Sequence, residues 1–81
     1  MWTVYVLQSE SSGRFYVGHT DDLARRVPEH NNGQTKSTRN RGPWNIFHTE
    51  TFDSKSQAYA RERQIKSWKS RRSILQLVER R

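Results

Sequence analysis

Apolar positions in this chain gather into short runs, and the spacing within each run separates strands from helices. Residues 2–7 (WTVYVL) are aromatic, β-branched or aliphatic almost throughout, which predicts a strand buried on both faces. The polar run from Gln8 to Gly13 reads as a turn, and Arg14 to Gly18 resumes the strand pattern, so the two runs form a hairpin with a longish loop. Thr20 then stands as a helix N-cap, with Asp21 and Asp22 in the first turn, where the helix dipole favours acids. That helix is expected to reach about Asn31 and to end at Asn32-Gly33, with Pro28 bending it by removing one internal hydrogen bond. Residues 32–43 are rich in Gly, Thr, Asn and Arg and read as a flexible basic loop, and Trp44 to Phe52 predicts a third strand. Ser54 with Gln57 forms a capping box opening a helix over 55–67. Ser70 opens a last helix with Ile74, Leu75, Leu77 and Val78 as its apolar face.

This order, β-β-α-β-α-α, predicts an α+β fold in which a small three-stranded antiparallel sheet is flanked by helices. With 81 residues and no internal repeat or long linker, residues 1–81 make a single domain. Only 31% of residues are hydrophobic, so the core must lean on large aromatics: Trp2, Phe15, Trp44, Phe47, Phe52, Tyr59 and Trp68.

Charge narrows the partners. Fifteen Lys and Arg against eight Asp and Glu leave a net charge of +7, which points to nucleic acid or an anionic surface. The absence of cysteine excludes a disulfide framework and thiolate metal sites. No apolar run approaches the ~18 residues of a membrane span, and the first residues enter a strand instead of forming a signal peptide. A cytoplasmic location with no membrane partner is expected.

Helical geometry picks out candidate chemistry. At about 100° per residue, Leu23 and Val27 define the inward stripe of the first helix, with Arg26 and His30 flanking it one turn apart. Both can face the sheet that carries Tyr5 and Tyr16. A guanidinium turned toward a sheet needs an anionic partner, a carboxylate or a bound phosphate, because burying it unpaired is costly. In the 55–67 helix, Ala58 and Ile65 mark the inward stripe and Glu62 borders it. Two readings of Glu62 stand open: an ion pair with Arg26 or Arg61, or a ligand for Mg²⁺, which takes oxygen donors and keeps several waters. Lys36, Arg39 and Arg41 in the loop, with Lys66, Lys69, Arg71 and Arg72, look like phosphate contacts, although a solvated basic face would read the same. His19 and His48 lack zinc-site spacing and are read as structural, and Gly18 as permitting a tight turn.

Together these residues resemble the GIY-YIG nuclease superfamily, in particular small stand-alone members similar to the nuclease domain of the bacterial excinuclease. The first signature segment stands here as Thr3-Val4-Tyr5, with Thr-Val in place of Gly-Ile, and the second as Tyr16-Val17-Gly18. The stretch from Gly18 to Arg26 (GHTDDLARR) has the family's spacing to its catalytic arginine, and His30-Asn31 and Ala60-Arg61-Glu62 match further on. The resemblance runs from residue 2 to about 72. It implies a metal-dependent endonuclease acting on DNA, in a repair or recombination setting, with Tyr5, Tyr16, Arg26, His30 and Glu62 as catalytic residues. It further implies Mg²⁺ or Mn²⁺ held by Glu62 and waters, and Arg26 balancing charge on the phosphoryl oxygens. Tyr5 assisted by His30 would serve as general base, and Tyr16 would orient the water or the phosphate. Free tyrosine titrates at about 10, so Tyr5 needs a cation or metal-bound water nearby to act at neutral pH. Two other classes compete: a non-catalytic nucleic-acid-binding module on the same fold, and a basic protein-interaction domain. The residues do not separate DNA from RNA or monomer from dimer, and they leave substrate choice either to a protein partner or unselected.

Overall fold

The computed structural model of the protein describes residues 1–33, 42–68 and 70–79. Its elements follow the expected order: β1 (Trp2–Ser9), β2 (Phe15–Thr20), α1 (Leu23–Asn31), β3 (Trp44–Phe52), α2 (Lys55–Ser67) and α3 (Arg71–Glu79). The three strands form one antiparallel sheet in the order β2-β1-β3, so the most apolar strand lies at its centre. Tyr5 stands opposite Gly18 on one side and Thr49 on the other, and an irregularity in the β1–β3 register falls between Val6 and Leu7.

Strand alternation divides β1 between two cores. Val4 and Val6 point to one face, where they meet Val17 and the buried Ala58, Ile65 and Leu77 of α2 and α3. Tyr5 and Leu7 point to the other, with Trp44, Tyr16 and the Leu23–Val27 stripe of α1. The sheet is therefore a partition between helices, and a site on one face is separated from the other by β1 except around a sheet edge.

Local chemistry explains the element ends. Ser54 caps α2 in the expected box: its hydroxyl accepts from the Gln57 amide, and the Gln57 side chain accepts from the Ser54 amide. The start of α1 departs from expectation. Thr20 stays in β2 opposite Thr3, and its Oγ1 accepts from the Asp22 amide at 3.1 Å. Asp22 becomes the N-cap, accepting from the Arg25 amide at 3.2 Å. Threonine and aspartate are both good caps, and strand pairing decides between them. Pro28 sits within α1 without ending it, and Gly33, at φ +76°, follows the C-cap Asn32.

Two apolar expectations fail for a common reason. Tyr59 is 47% exposed and Leu75 36% exposed, each one helical step beyond an inward neighbour, Ala58 and Ile74 respectively. The other large aromatics behave as expected: Trp44 is buried, and Trp2, Phe15, Phe47, Phe52 and Trp68 pack partly against the core. Among the described residues no helix is long and apolar enough to cross a membrane.

Candidate active site

Tyr5 rises from the central strand into the α1 side of the sheet and is 1% exposed. Its ring lies across Gly18, its antiparallel partner. A Cβ at position 18 would stand 2.5 Å from the Tyr5 hydroxyl and 2.7 Å from Cζ, so Gly18 serves close packing within β2 and not the tight turn read from sequence. Tyr16 lies diagonally across the strand pair with its ring centroid 6.3 Å from that of Tyr5. His30, buried near the end of α1, completes the group: its ring is 5.7 Å from Tyr5 and 4.7 Å from Tyr16, and its Nε2 is 2.9 Å from the Tyr5 hydroxyl. Asn31 anchors this end of the helix, accepting from the Trp44 amide at 2.7 Å and donating to the Trp44 carbonyl at 3.1 Å.

Arg26, one turn before His30, donates to Glu29 at 3.0 Å and also reaches the Tyr5 hydroxyl. Its side chain is 32% exposed, so the guanidinium is held at one end and open to solvent elsewhere. Burial pushes the Tyr5 phenol up to about 12, against the opposing pull of Arg26. Burial and the Arg26 charge bring the His30 imidazole down to about 4, so at neutral pH it is uncharged and can accept a proton. The Glu29 carboxylate raises the Arg26 pKa, which keeps this cation charged throughout.

Glu62 comes from the opposite helix layer. It is 8% exposed, and neither ion pair expected for it occurs. Arg26 is taken by Glu29, and Arg61 pairs with Glu50. Glu62 instead meets His19 Nδ1 at 2.8 Å and Lys66 Nζ at 3.1 Å. His19, read as structural for want of zinc-site spacing, is thus a hydrogen-bonded neighbour of Glu62. Its signal was β2 alternation: Phe15, Val17 and His19 share the face that α2 covers. Lys66, one turn after Glu62, also lies 6.0 Å from the centroid of Tyr16. Through it the Glu62 cluster and the tyrosine–histidine cluster meet around the β2 edge of the sheet.

Other candidates fall elsewhere. Lys36, Arg39, Arg41 and Lys69 lie outside the described residues. Gly13 and Phe15 occupy Arg71: it donates to the Gly13 carbonyl at 2.7 Å and lies over the Phe15 ring. A cavity of about 480 Å³ opens between β3, α2 and α3, lined by His48, Glu50, Arg61 and Trp68 among others. It holds none of the tyrosines. Burial alone would raise Glu50, but its bonds from Arg61 and His48 prevail and keep the carboxyl below its ordinary value. The cavity wall is thereby a satisfied internal network. Among the described residues no three His, Cys, Asp or Glu side chains cluster as a metal site. Glu62 offers a single hard oxygen donor, the kind a water-rich divalent ion accepts.

A model of the GIY-YIG catalytic domain matches residues 1–74, covering both tyrosine strands, α1 and Glu62. The chain belongs to the GIY-YIG family. Among its relatives, a UPF0213 protein of Halobacterium salinarum is 52% identical over 67 residues, covering 82% of this chain and 86% of that one. A UPF0213 protein of Staphylococcus saprophyticus is 38% identical over 76 residues, covering 93% and 90%. The solution NMR structure of a UPF0213 protein from Bacillus halodurans is similar over 98% of this chain and 84% of its own, with a TM-score of 0.60 and 40% identity. In GIY-YIG terms, both signature tyrosines of this chain fall on one sheet face, beneath the helix that carries Arg26 and His30.

Proposed function

We propose that this GIY-YIG chain is a divalent-metal-dependent endonuclease that hydrolyses DNA phosphodiester bonds. The observation that carries the reading is the convergence of two phenols, a neutral imidazole, a solvent-facing guanidinium and a nearly buried carboxylate around one sheet edge. A basic surface with a net charge of +7 supplies the attraction to a phosphate backbone.

Glu62 would hold Mg²⁺ or Mn²⁺ largely through water, with Lys66, half-exposed, free to swing off one oxygen while His19 keeps the other in place. The ion would supply Lewis-acid polarisation of the scissile phosphate and charge neutralisation at the leaving oxygen. Arg26 faces solvent with its remaining N–H groups and would stabilise charge growing on the phosphoryl oxygens. A Tyr5 phenol titrating at about 12 is protonated at neutral pH, so it cannot act as a standing phenolate. It acts instead as a relay, handing its proton to neutral His30 across 2.9 Å as it takes one from the attacking water. Tyr16, more exposed than Tyr5, would orient the water or the phosphate.

A non-catalytic binding module on the same fold is the second reading. It draws on one observation: both Glu62 oxygens are already bonded by protein groups. The two readings part in a cleavage assay on supercoiled plasmid, branched and single-stranded DNA with Mg²⁺, Mn²⁺ or EDTA. The nuclease reading expects metal-dependent cutting that falls on the order of 10²–10³-fold in Arg26→Ala and is abolished in Glu62→Ala. Salt-sensitive binding without cutting in all three proteins would favour the module.

A further inference from the structure

One stripe of α2 belongs neither to the core nor to the proposed chemistry. Lys55, Tyr59 and Arg63 recur at every fourth residue and so stand one above another on a single helix face. All three are exposed, Tyr59 by 47%. Beside them lies a row of rings. His19 is 5.9 Å from Trp2 and 5.7 Å from Tyr59, centroid to centroid. A cation covers each end of the row: Lys55 sits 5.4 Å from the Trp2 ring and Arg63 5.8 Å from the Tyr59 ring. The middle ring is the one whose Nδ1 holds Glu62. The row is therefore joined at its centre to the carboxylate assigned to the metal.

Tyr59 is exposed and Trp2 and His19 are partly exposed, with an exposed cation at each end; single-stranded nucleic acid recognises these two properties, flat faces for bases and positive charge for phosphates. A base inside a uniform duplex has both faces covered by its neighbours and cannot lie on a side chain. We infer that Trp2, His19 and Tyr59 form a stacking platform for unpaired bases beside the scissile phosphate. The substrate class is then single-stranded or branched nucleic acid. On binding, Lys55 and Arg63 give up the ring faces and move to the flanking phosphates, so their charge is used twice. The inference rests on the nuclease reading for where the strand leads, but its test needs binding alone.

Fluorescence anisotropy in EDTA, with an oligothymidylate and a duplex of equal length, would test it on the whole chain. The wild type should bind the single strand more tightly than the duplex. Tyr59→Ala should weaken single-strand binding roughly tenfold and leave duplex binding unchanged, whereas Tyr59→Phe keeps the aromatic face and the affinity. Lys55→Ala should reduce the salt slope by about one phosphate contact. Tighter duplex binding by the wild type, or an unchanged Tyr59→Ala affinity for the single strand, overturns the platform; so does an equal loss on both DNAs. Because Tyr59 is exposed, the variants keep the fold, which circular dichroism verifies. A Tyr59-dependent preference in a protein that cuts no DNA with any metal supports the platform and sinks only the nuclease reading.

Discussion

A methyl group at position 18 would meet the Tyr5 ring across the strand pair, and neither backbone can retreat without breaking the sheet. Gly18→Ala is expected to destabilise the fold by about 1–3 kcal/mol, seen as a melting temperature lower by several degrees; a change of less than one degree would mean the ring has room. His30 gives a pH signature. Its folded value of about 4 lies below the ordinary 6.5, so between these values the unfolded chain binds the extra proton. Stability should therefore be level above pH 6.5 and fall as the pH drops toward 4. Urea midpoints compared with those of His30→Gln should show a shallower fall in the variant, and equal slopes would refute the assignment. Tyr5, Tyr16, Arg26 and His30 were legible in the sequence because each sits at a fixed spacing from a strand or helix signal. The contact between His19 and Glu62 was not, because the two stand 43 residues apart and only the folded sheet brings them together.

Helix and strand boundaries were legible where the deciding interaction is local. The α2 box is made by Ser54 and Gln57 alone, and both ends of that helix match the reading from sequence. At α1 two cap residues compete, and a cross-strand partner settles the matter. Ser54→Ala removes an amide acceptor at the surface and should cost about 1 kcal/mol, read as a lower melting temperature. The same change should leave cleavage per folded molecule unaltered, since Glu62 lies two turns further along the helix. A selective loss of turnover at constant stability would show that the cap also sets the register of Glu62. The network behind α2 behaves differently. Removing Arg61 leaves Glu50 partly buried with the bond from His48, so Arg61→Ala should destabilise more than Ser54→Ala does.

Across the whole molecule, element order and net charge were legible, whereas the division of β1 between two helix layers follows from packing. The charge predicts a linear fall of log affinity for DNA with log salt, measurable by anisotropy between about 50 and 200 mM salt. A flat dependence would point to a protein partner instead. The strand that carries Tyr5 also carries Val4, Val6 and Leu7, all fully buried, and is paired along both edges. Such a strand belongs to the last unit of a protein to open, so the Tyr5 amide should exchange its hydrogen only through global unfolding. Many active sites are drawn from loops and soften before the scaffold does. Here heat or denaturant should extinguish activity and secondary structure along one curve, with no inactive folded form between them.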